Sequence, residues 1–532
     1  GDINFYKPTT LANTTPISTK ITEASSSRSG NVTFYGDLTL AAPGYAVTIN
    51  AQGPQSGASF TGRGGNIDVR GNIVSGTYLQ QYPQALTLDT TGADATPSAG
   101  PGTITLGSSS ANTIGGNGTA GLKSLSLVGP MTTQLNAGTI NIFSTSGDVI
   151  TASSLLGTPS ITLDATNTTI NVSGGTYGSN TGFSDYLQST FDIVKAAGDK
   201  TLTINADRTI KLAQRSIDGT TTSGKLDVAL NPFRSTASGN TGGAAILQGS
   251  DSVAAAIRSN GGTIAIGTSG TAATGFGADI SGIKDGIYLD NAVLDSRIAG
   301  DAGQTGANIT LNGRAPTTTV AGAGVRIKGA LANVRSGTGN LSISGTVPGG
   351  SSSGQKDGVV IGEDGSSRVT LATTSGAIAI TGDATSVDTS PSVTGASRYD
   401  GVVVSSAALI QSGSGAITVV GKGSGGDQSY LVENHGIKLE NAKTSIVSTS
   451  GNISLYGSSG GKTSDTGGAN SFGIYSAGDT MYIGSAPISA VSGGVIASGN
   501  IVLAADSMQL INSSNLHLNV ASSGELRIHT ET

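Results

Sequence analysis

Residues Asp400 to Gly423 read DGVVVSSAALIQSGSGAITVVGKG, and the interpretation of the whole chain follows from this stretch. It holds three short apolar runs, Val402 to Val404, Ala407 to Ile410 and Ile417 to Val420, each parted from the next by Ser and Gly. Three short strands joined by tight corners make one triangular coil of a β-solenoid.

Working outward, a pattern of Gly, any residue, an aliphatic, a small or polar residue and a second aliphatic recurs along the chain. It stands as GDLTL at Gly36, GNIDV at Gly65, GTITL at Gly102, GTINI at Gly138, GTIAI at Gly262, GNLSI at Gly339, GAIAI at Gly376, GAITV at Gly415, GNISL at Gly451 and GNIVL at Gly499, with Ala307 replacing Gly in ANITL. The alternating aliphatics point to one side of a strand. Gly and the Asn that often follows it suit a corner, because both tolerate left-handed backbone angles. From Gly339 to Gly376, Gly415 and Gly451 the steps are 37, 39 and 36 residues, and the step from Gly102 to Gly138 is again 36. A second series leads the first: DGIYL at Asp285, GVRI at Gly324, DGVVI at Asp357, DGVVV at Asp400, HGIKL at His435 and GIY at Gly473. Between the two lies a middle run such as Ala442 to Val447. One coil per period is expected, with a polar excursion at one fixed corner. Two coils of about 18 residues would need buried aliphatics inside stretches such as DATSVDTSPSVTGAS, Asp383 to Ser397, which offer almost none.

Composition agrees with a thin, repetitive core. The 532 residues include 82 Gly and are only 36% hydrophobic and 12% charged, against roughly half and a quarter in ordinary domains. Net charge is -6 without long runs of one sign, so there is no basic footprint for nucleic acid or an anionic membrane. No run approaches the ~20 apolar residues of a transmembrane segment. The absence of Cys suits a secreted bacterial protein. Gly1 begins a stretch without the basic and apolar regions of a signal peptide, and the chain reads as a processed product or an excised segment.

The expected fold is therefore all-β: a right-handed parallel β-helix with surface loop excursions and one short helix, since strand crossovers default to the right hand. Residues 1–30 read as an N-terminal arm or leading strand, and 31–532 as a single continuous β-helix. Insertions outside it are expected near 77–101 and 182–199, with repeated loops from about 285 onward. The helix is placed on SDYLQSTFDIVKAA, Ser184 to Ala197, where Leu187, Phe191 and Val194 recur at i, i+4 and i+7, Ser184 is a cap and Gly198 a stop.

The runs TLTINADRTIKLA (Thr201 to Ala213), GKLDVALNPFRSTASGNTGGAAIL (Gly224 to Leu247) and SNGGTIAIG (Ser259 to Gly267) resemble the repeat region of filamentous haemagglutinin-like exoproteins, and the DG-initiated coils from Asp285 onward are similar. The resemblance covers most of the chain and is to architecture rather than to a ligand site. It implies two-partner secretion through an outer-membrane transporter, an extracellular or outer-surface location, and adhesion to cells, surfaces or matrix. The family's N-terminal secretion domain is not recognisable in Gly1 to Gly30, and no Arg-Gly-Asp sequence is present.

Chemistry is sparse. Three His, at 435, 517 and 529, and no Cys give little for a transition metal or a nucleophilic triad. His435 stands where sister coils carry Asp and reads as a corner residue. Asp285, Asp357 and Asp400, one per coil, do not converge as the six to eight oxygens around calcium must, and read as turn residues. Neither metal nor cofactor is expected. A polysaccharide-degrading enzyme is the rival class, with Lys284, Asp285, Asp290, Asp295 and Arg297 as its thin set of acids and bases and no Trp for sugar stacking. A Thr array for ice is disfavoured by a mixed face: Thr103 and Thr105, but Asn66 and Asp68, Asn340 and Ser342, Asn452 and Ser454.

A non-enzymatic adhesin segment is the leading expectation: a stiff stalk presenting polar loops, Asp383 to Ser397, Ser424 to Asn434 and Ser458 to Asn470 or Ser471, to host-cell, matrix or polysaccharide ligands by avidity. A self-assembling filament or biofilm-matrix protein is the alternative, suggested by NLHLNV and ELRIH near the end (Asn515 to His529), which alternate with no cap after them.

Overall fold

In the computed structural model all residues are described except 13–15, 20–28, 42–45, 54–62, 76–84, 92–100, 116–121, 123, 130–131, 144–149, 154–158, 174–186, 190, 208, 233–243, 268–272, 275–283, 316–320, 348–354, 364–367, 386–398, 425–433, 441–442, 460–470, 478–479, 485–498, 511–515, 521–522 and 531–532. Among the described residues every regular element is a β-strand. Two compact units form, Gly1–Val228 and Ala229–Thr532, and each is a parallel β-helix with three faces.

The stretch that opened the sequence analysis is one such coil. Val402–Val404 lies on the third face, Leu409–Ser412 on the first and Ile417–Lys422 on the second. Their partners one coil on are Ile437, Ser445 and Ile453 for Val402, Leu409 and Ile417, which are steps of 35, 36 and 36 residues. One coil per period is therefore correct. In the first unit Ile3–Phe5, Thr9–Leu11 and Ile17–Ser18 pair with strands starting at Val32, Leu38 and Ala46, so residues 1–30 already contain strands on all three faces.

Inward side chains stack in columns. Leu341, Ile378, Ile417, Ile453 and Ile501 follow one another in register and are fully buried, as are Leu455 and Leu503 beside them. Neither end of such a column is closed by its own coil, which makes stability a neighbour-to-neighbour sum.

Three expectations need correction. First, the described residues of 184–197 form no helix. Leu187–Ser189 is a third-face strand and Asp192–Lys195 a first-face strand flanked by Ser160–Leu163 and Ser216–Asp218, while Ser184 lies outside the described residues. Phe191, Ile193 and Lys195 alternate inward and are buried. Phe191 fits both periods, with Leu187 and Val194 in a helical stripe or with Ile193 and Lys195 along a strand, and available strand neighbours on both sides decide between them. Second, the insertion expected near 77–101 contains a third-face strand, Ala85–Asp89, with Leu86 and Leu88 fully buried. Third, the 36-residue step from Gly102 to Gly138 joins different faces: Ile104–Leu106 is first-face, Thr139–Phe143 second-face, and the true first-face step there is 29 residues, from Ile104 to Thr133.

The repeated Gly also has a different cause from the expected one. Gly339, Gly376, Gly415, Gly451 and Gly499 do not adopt left-handed angles. A Cβ on Gly376, Gly415, Gly451 or Gly499 would instead overlap the carbonyl oxygen of the Gly one coil earlier. Stacked backbones at ~4.8 Å leave no room there. Gly376→Ala is expected to destabilise the second unit by about 1–3 kcal/mol or more; an unchanged urea midpoint would show that the corner can relax.

Candidate functional site

The corner between second and third faces of the second unit gathers the features singled out in the sequence. From Ile309 to Ser458 the coils leave the second face through a Gly and re-enter the third face at a residue-Gly pair, and these two glycines interlock: a Cβ on Gly382 would overlap the carbonyl of Gly401, and one on Gly421 that of Gly436. The long polar stretches leave and return here. Segments 316–320, 348–354, 386–398, 425–433 and 460–470 all connect a second-face to a third-face strand, whereas 485–498 connects first to second. Ala315, Val347, Ala384 and Tyr399 pack as a buried cluster at the roots of these excursions.

The corner acids bond from coil to coil. Asp285 Oδ1 accepts the Ala323 amide at 2.5 Å, Asp357 Oδ1 the Asp400 amide at 3.1 Å and Asp400 Oδ1 the His435 amide at 2.7 Å. His435 continues the series, its Nδ1 accepting the Phe472 amide at 3.1 Å. All four side chains are buried. Elsewhere Asn does the same work: Asn308 Oδ1 accepts the Asn340 amide, Asn340 that of Ala377, Asn452 that of Asn500 and Asn500 that of Glu525, at 2.8–2.9 Å. In the first unit Asp2, Asn31 and Asn66 form an equivalent run. At the corner between first and second faces, buried hydroxyls of Ser296, Ser336, Thr373 and Ser448 donate to corner carbonyls at 2.6–2.9 Å. Asn after Gly is thus an amide acceptor for the next coil, a role that single-strand reasoning missed. Its signal, an Asn or Asp before each strand at the coil period, was present.

The set considered for catalysis is distributed over two faces. Asp285 pairs with Arg326 at 3.0 Å, and Arg326 reaches Glu363 at 2.5 Å on the far side. Burial pushes Asp285 upward against the pull of Arg326. Burial opposes the Arg326 charge, but Asp285 and Glu363 outweigh it and hold the guanidinium above its usual range. Burial, reinforced by Asp290, which accepts the Tyr288 hydroxyl at 2.9 Å, pushes that phenol up. Asp295 is on the first face and holds Arg297 in a two-bond clasp at 2.9 and 2.6 Å. Lys284 is partly buried. The geometry brings Asp285 to Arg326 and Asp295 to Arg297, and does not bring the two groups together. Among the described residues no cluster of three His, Asp or Glu is arranged to hold a metal.

The expected contact residues divide. Asp383 ends the second-face strand Ile378–Asp383 and accepts from the amide and hydroxyl of Thr385 at 2.9 and 2.6 Å. Ser458 is exposed at the end of Ile453–Ser458. Ser424 and Asn434 are buried instead, Ser424 donating its amide to the Tyr399 carbonyl and Asn434 its amide to the Ser471 hydroxyl. Both are roots of an excursion. Ser397 and Asn470 lie outside the described residues.

Outward surfaces differ between faces. On the third face the outward column runs Ile246, Tyr288, Arg326, Val360, Val403, Lys438 and Tyr475, and Ile246, Tyr288, Val360, Val403 and Lys438 in it are buried, so much of that side is covered although it mixes apolar and charged residues. On the second face five six-residue strands, Ile309–Arg314, Leu341–Thr346, Ile378–Asp383, Ile417–Lys422 and Ile453–Ser458, turn Thr310, Ser342, Ala379, Thr418 and Ser454 outward in one column and Asn312, Ser344, Thr381, Val420 and Tyr456 in the next, all at least partly exposed.

Two outcomes test the energetics. Asp400→Ala strands a buried amide and is expected to cost about 1–3 kcal/mol, while Asp400→Asn keeps the acceptor and costs less; equal losses in urea unfolding would refute the acceptor role. Burial also holds the Lys356 ammonium down at about 8. The unfolded chain, with an ordinary value near ~10.4, then binds this proton more tightly, so stability rises as pH climbs from about 8 to ~10.4. Lys356→Met should be the more stable protein at pH 7 with the gap closing by pH 10, as read from denaturation midpoints across that range.

Comparison with known protein families, curated proteins and solved structures finds no match to this chain.

Proposed function

We propose that the chain is a segment of a secreted or surface-displayed bacterial adhesin, a β-helical spacer that attaches through many weak polar contacts rather than through one deep pocket. The observation that carries this reading is the second face of the second unit, where five in-register strands turn outward mostly small polar residues, with Val420 and Tyr456 among them and Arg314, Asp383 and Lys422 at strand ends. Beside it the segments that join second-face to third-face strands all begin and end at one corner, so their roots repeat at the coil spacing, an arrangement suited to avidity. The described corner acids support the same reading, because their carboxylates serve neighbouring coils. Export through an outer-membrane transporter belongs to this proposal on the strength of the resemblance in the repeats.

Attachment of the purified chain to cells, extracellular matrix and polysaccharide-coated surfaces tests it. Removing 386–397, 426–432 and 461–469 together, with the buried roots kept, should leave unfolding unchanged and weaken attachment, and Thr381→Glu with Thr418→Glu should do so on the strand surface. Undiminished attachment in both variants, or release of reducing or unsaturated sugar ends from a polysaccharide panel, would defeat the proposal.

A further inference from the structure

His435 occupies a corner position that Asp357 and Asp400 occupy in the two preceding coils, and it accepts the next coil's amide as they do. A main-chain N–H only donates, so Nδ1 carries no hydrogen and the neutral ring holds its proton on Nε2. The one nitrogen open to a further proton is the one that binds Phe472. Protonation puts N–H against N–H and breaks the bond, which cannot happen at an Asp or Asn corner in the same pH range. The ring is fully buried and lies flat on Tyr475, centroids 4.2 Å apart at 2°, with Phe472 parallel at 6.0 Å. Relief by rotating the imidazole out of this stack is therefore obstructed.

We propose that His435 is an acid-sensitive latch, which on protonation at Nδ1 releases the coil entered at Phe472 from the coil entered at His435. The charged and titratable groups around it are placed as follows. Asp400, one coil before, binds the His435 amide through Oδ1 at 2.7 Å and draws a proton toward the ring. Lys438, on the strand that His435 leads, is buried, pairs with Glu440 at 2.9 Å and lies 5.9 Å from the Tyr475 ring, opposing a second positive charge. Tyr475 supplies only its face, Lys422 is exposed at the end of the second-face strand, and Asp506 is engaged by the Ser459 amide at 2.8 Å. Whatever their balance, the proton that arrives must displace the Phe472 amide. An imidazole released from the corner takes a proton in the ordinary range, near pH ~6.5, whereas the closed corner must give up the Phe472 bond to do so, so the latch is closed above that range and opens as pH falls, with up to about a tenfold loss in the local closing equilibrium per pH unit.

Hydrogen exchange on the full 532-residue chain, followed by mass spectrometry on peptides spanning Phe472 and corrected for intrinsic rates, tests the latch. Protection is expected to fall by up to about tenfold between pH 7.5 and 5.5 in the wild type and to stay level in His435→Asn, which keeps an acceptor that does not titrate. His435→Asp, the side chain used at the two preceding corners, is the second variant should the first fold poorly. His517→Asn with His529→Asn, both at exposed positions, should retain the wild-type fall. Level protection in the wild type, or an equal fall in the position 435 variants, would overturn the proposal.

Discussion

The constraint on which everything else rests is the vertical registry of a parallel stack. When each coil lies ~4.8 Å above the last with equivalent residues superposed, any group placed at a corner meets its own counterpart. An unpaired amide or carbonyl there would recur in every coil, and burying it unsatisfied costs about 1–3 kcal/mol each time. The chain resolves this by placing an acceptor at or just before the start of a strand and a hydroxyl at the end of one. Asp285, Asp357, Asp400 and Asn340 serve the amides above them, and Ser336, Thr373 and Ser448 serve the carbonyls. The same registry excludes side chains where backbones meet, which accounts for the glycine columns at Gly376 and Gly415.

Much of this was legible in the residues. Alternating aliphatics identified the strands, the spacing of DG and GNIS series gave the coil, and the position of His435 among aspartates foretold its place at the corner. What strand periodicity does not encode is which face a strand joins. Two runs as alike as GTITL at Gly102 and GTINI at Gly138 fall on different sheets, because identity of face depends on how many residues the intervening corner consumes. The segment at 184–197 misled for a related reason: Leu187, Phe191 and Val194 fit a helical stripe, but Phe191, Ile193 and Lys195 fit a strand, and only the flanking coils decide.

The site was less legible than the fold. Polar stretches were expected to be presented whole, yet Ser424 and Asn434 at their margins are buried and bonded. Two third-face strands, VVI at Val359 to Ile361 and VVV at Val402 to Val404, carry buried apolar residues on both sides, and this doubled apolar run is the sign that both sides are covered there, although the adjacent strands place Arg326 and Lys438 at the outward position. The exposed second face lacks that sign: its outward residues, such as Ser342 and Ser454, read from the sequence only as a mixed face, because they differ from coil to coil and Val420 and Tyr456 stand among them.

The second-face strands also tolerate very unequal amounts of intervening chain. From Ile264 to Ile309 a coil takes 45 residues, from Ile309 to Leu341 it takes 32, from Ile453 to Ile501 48 and from Ile501 to Leu526 only 25, and the pairing register is kept each time. The stack thus counts corners and not residues. For protein engineering this makes the corner after the second face a natural docking port for foreign sequence: an epitope or an entire small fold whose ends lie close together can be spliced between, for example, Thr385 and Tyr399, and the coils above and below would still meet in step.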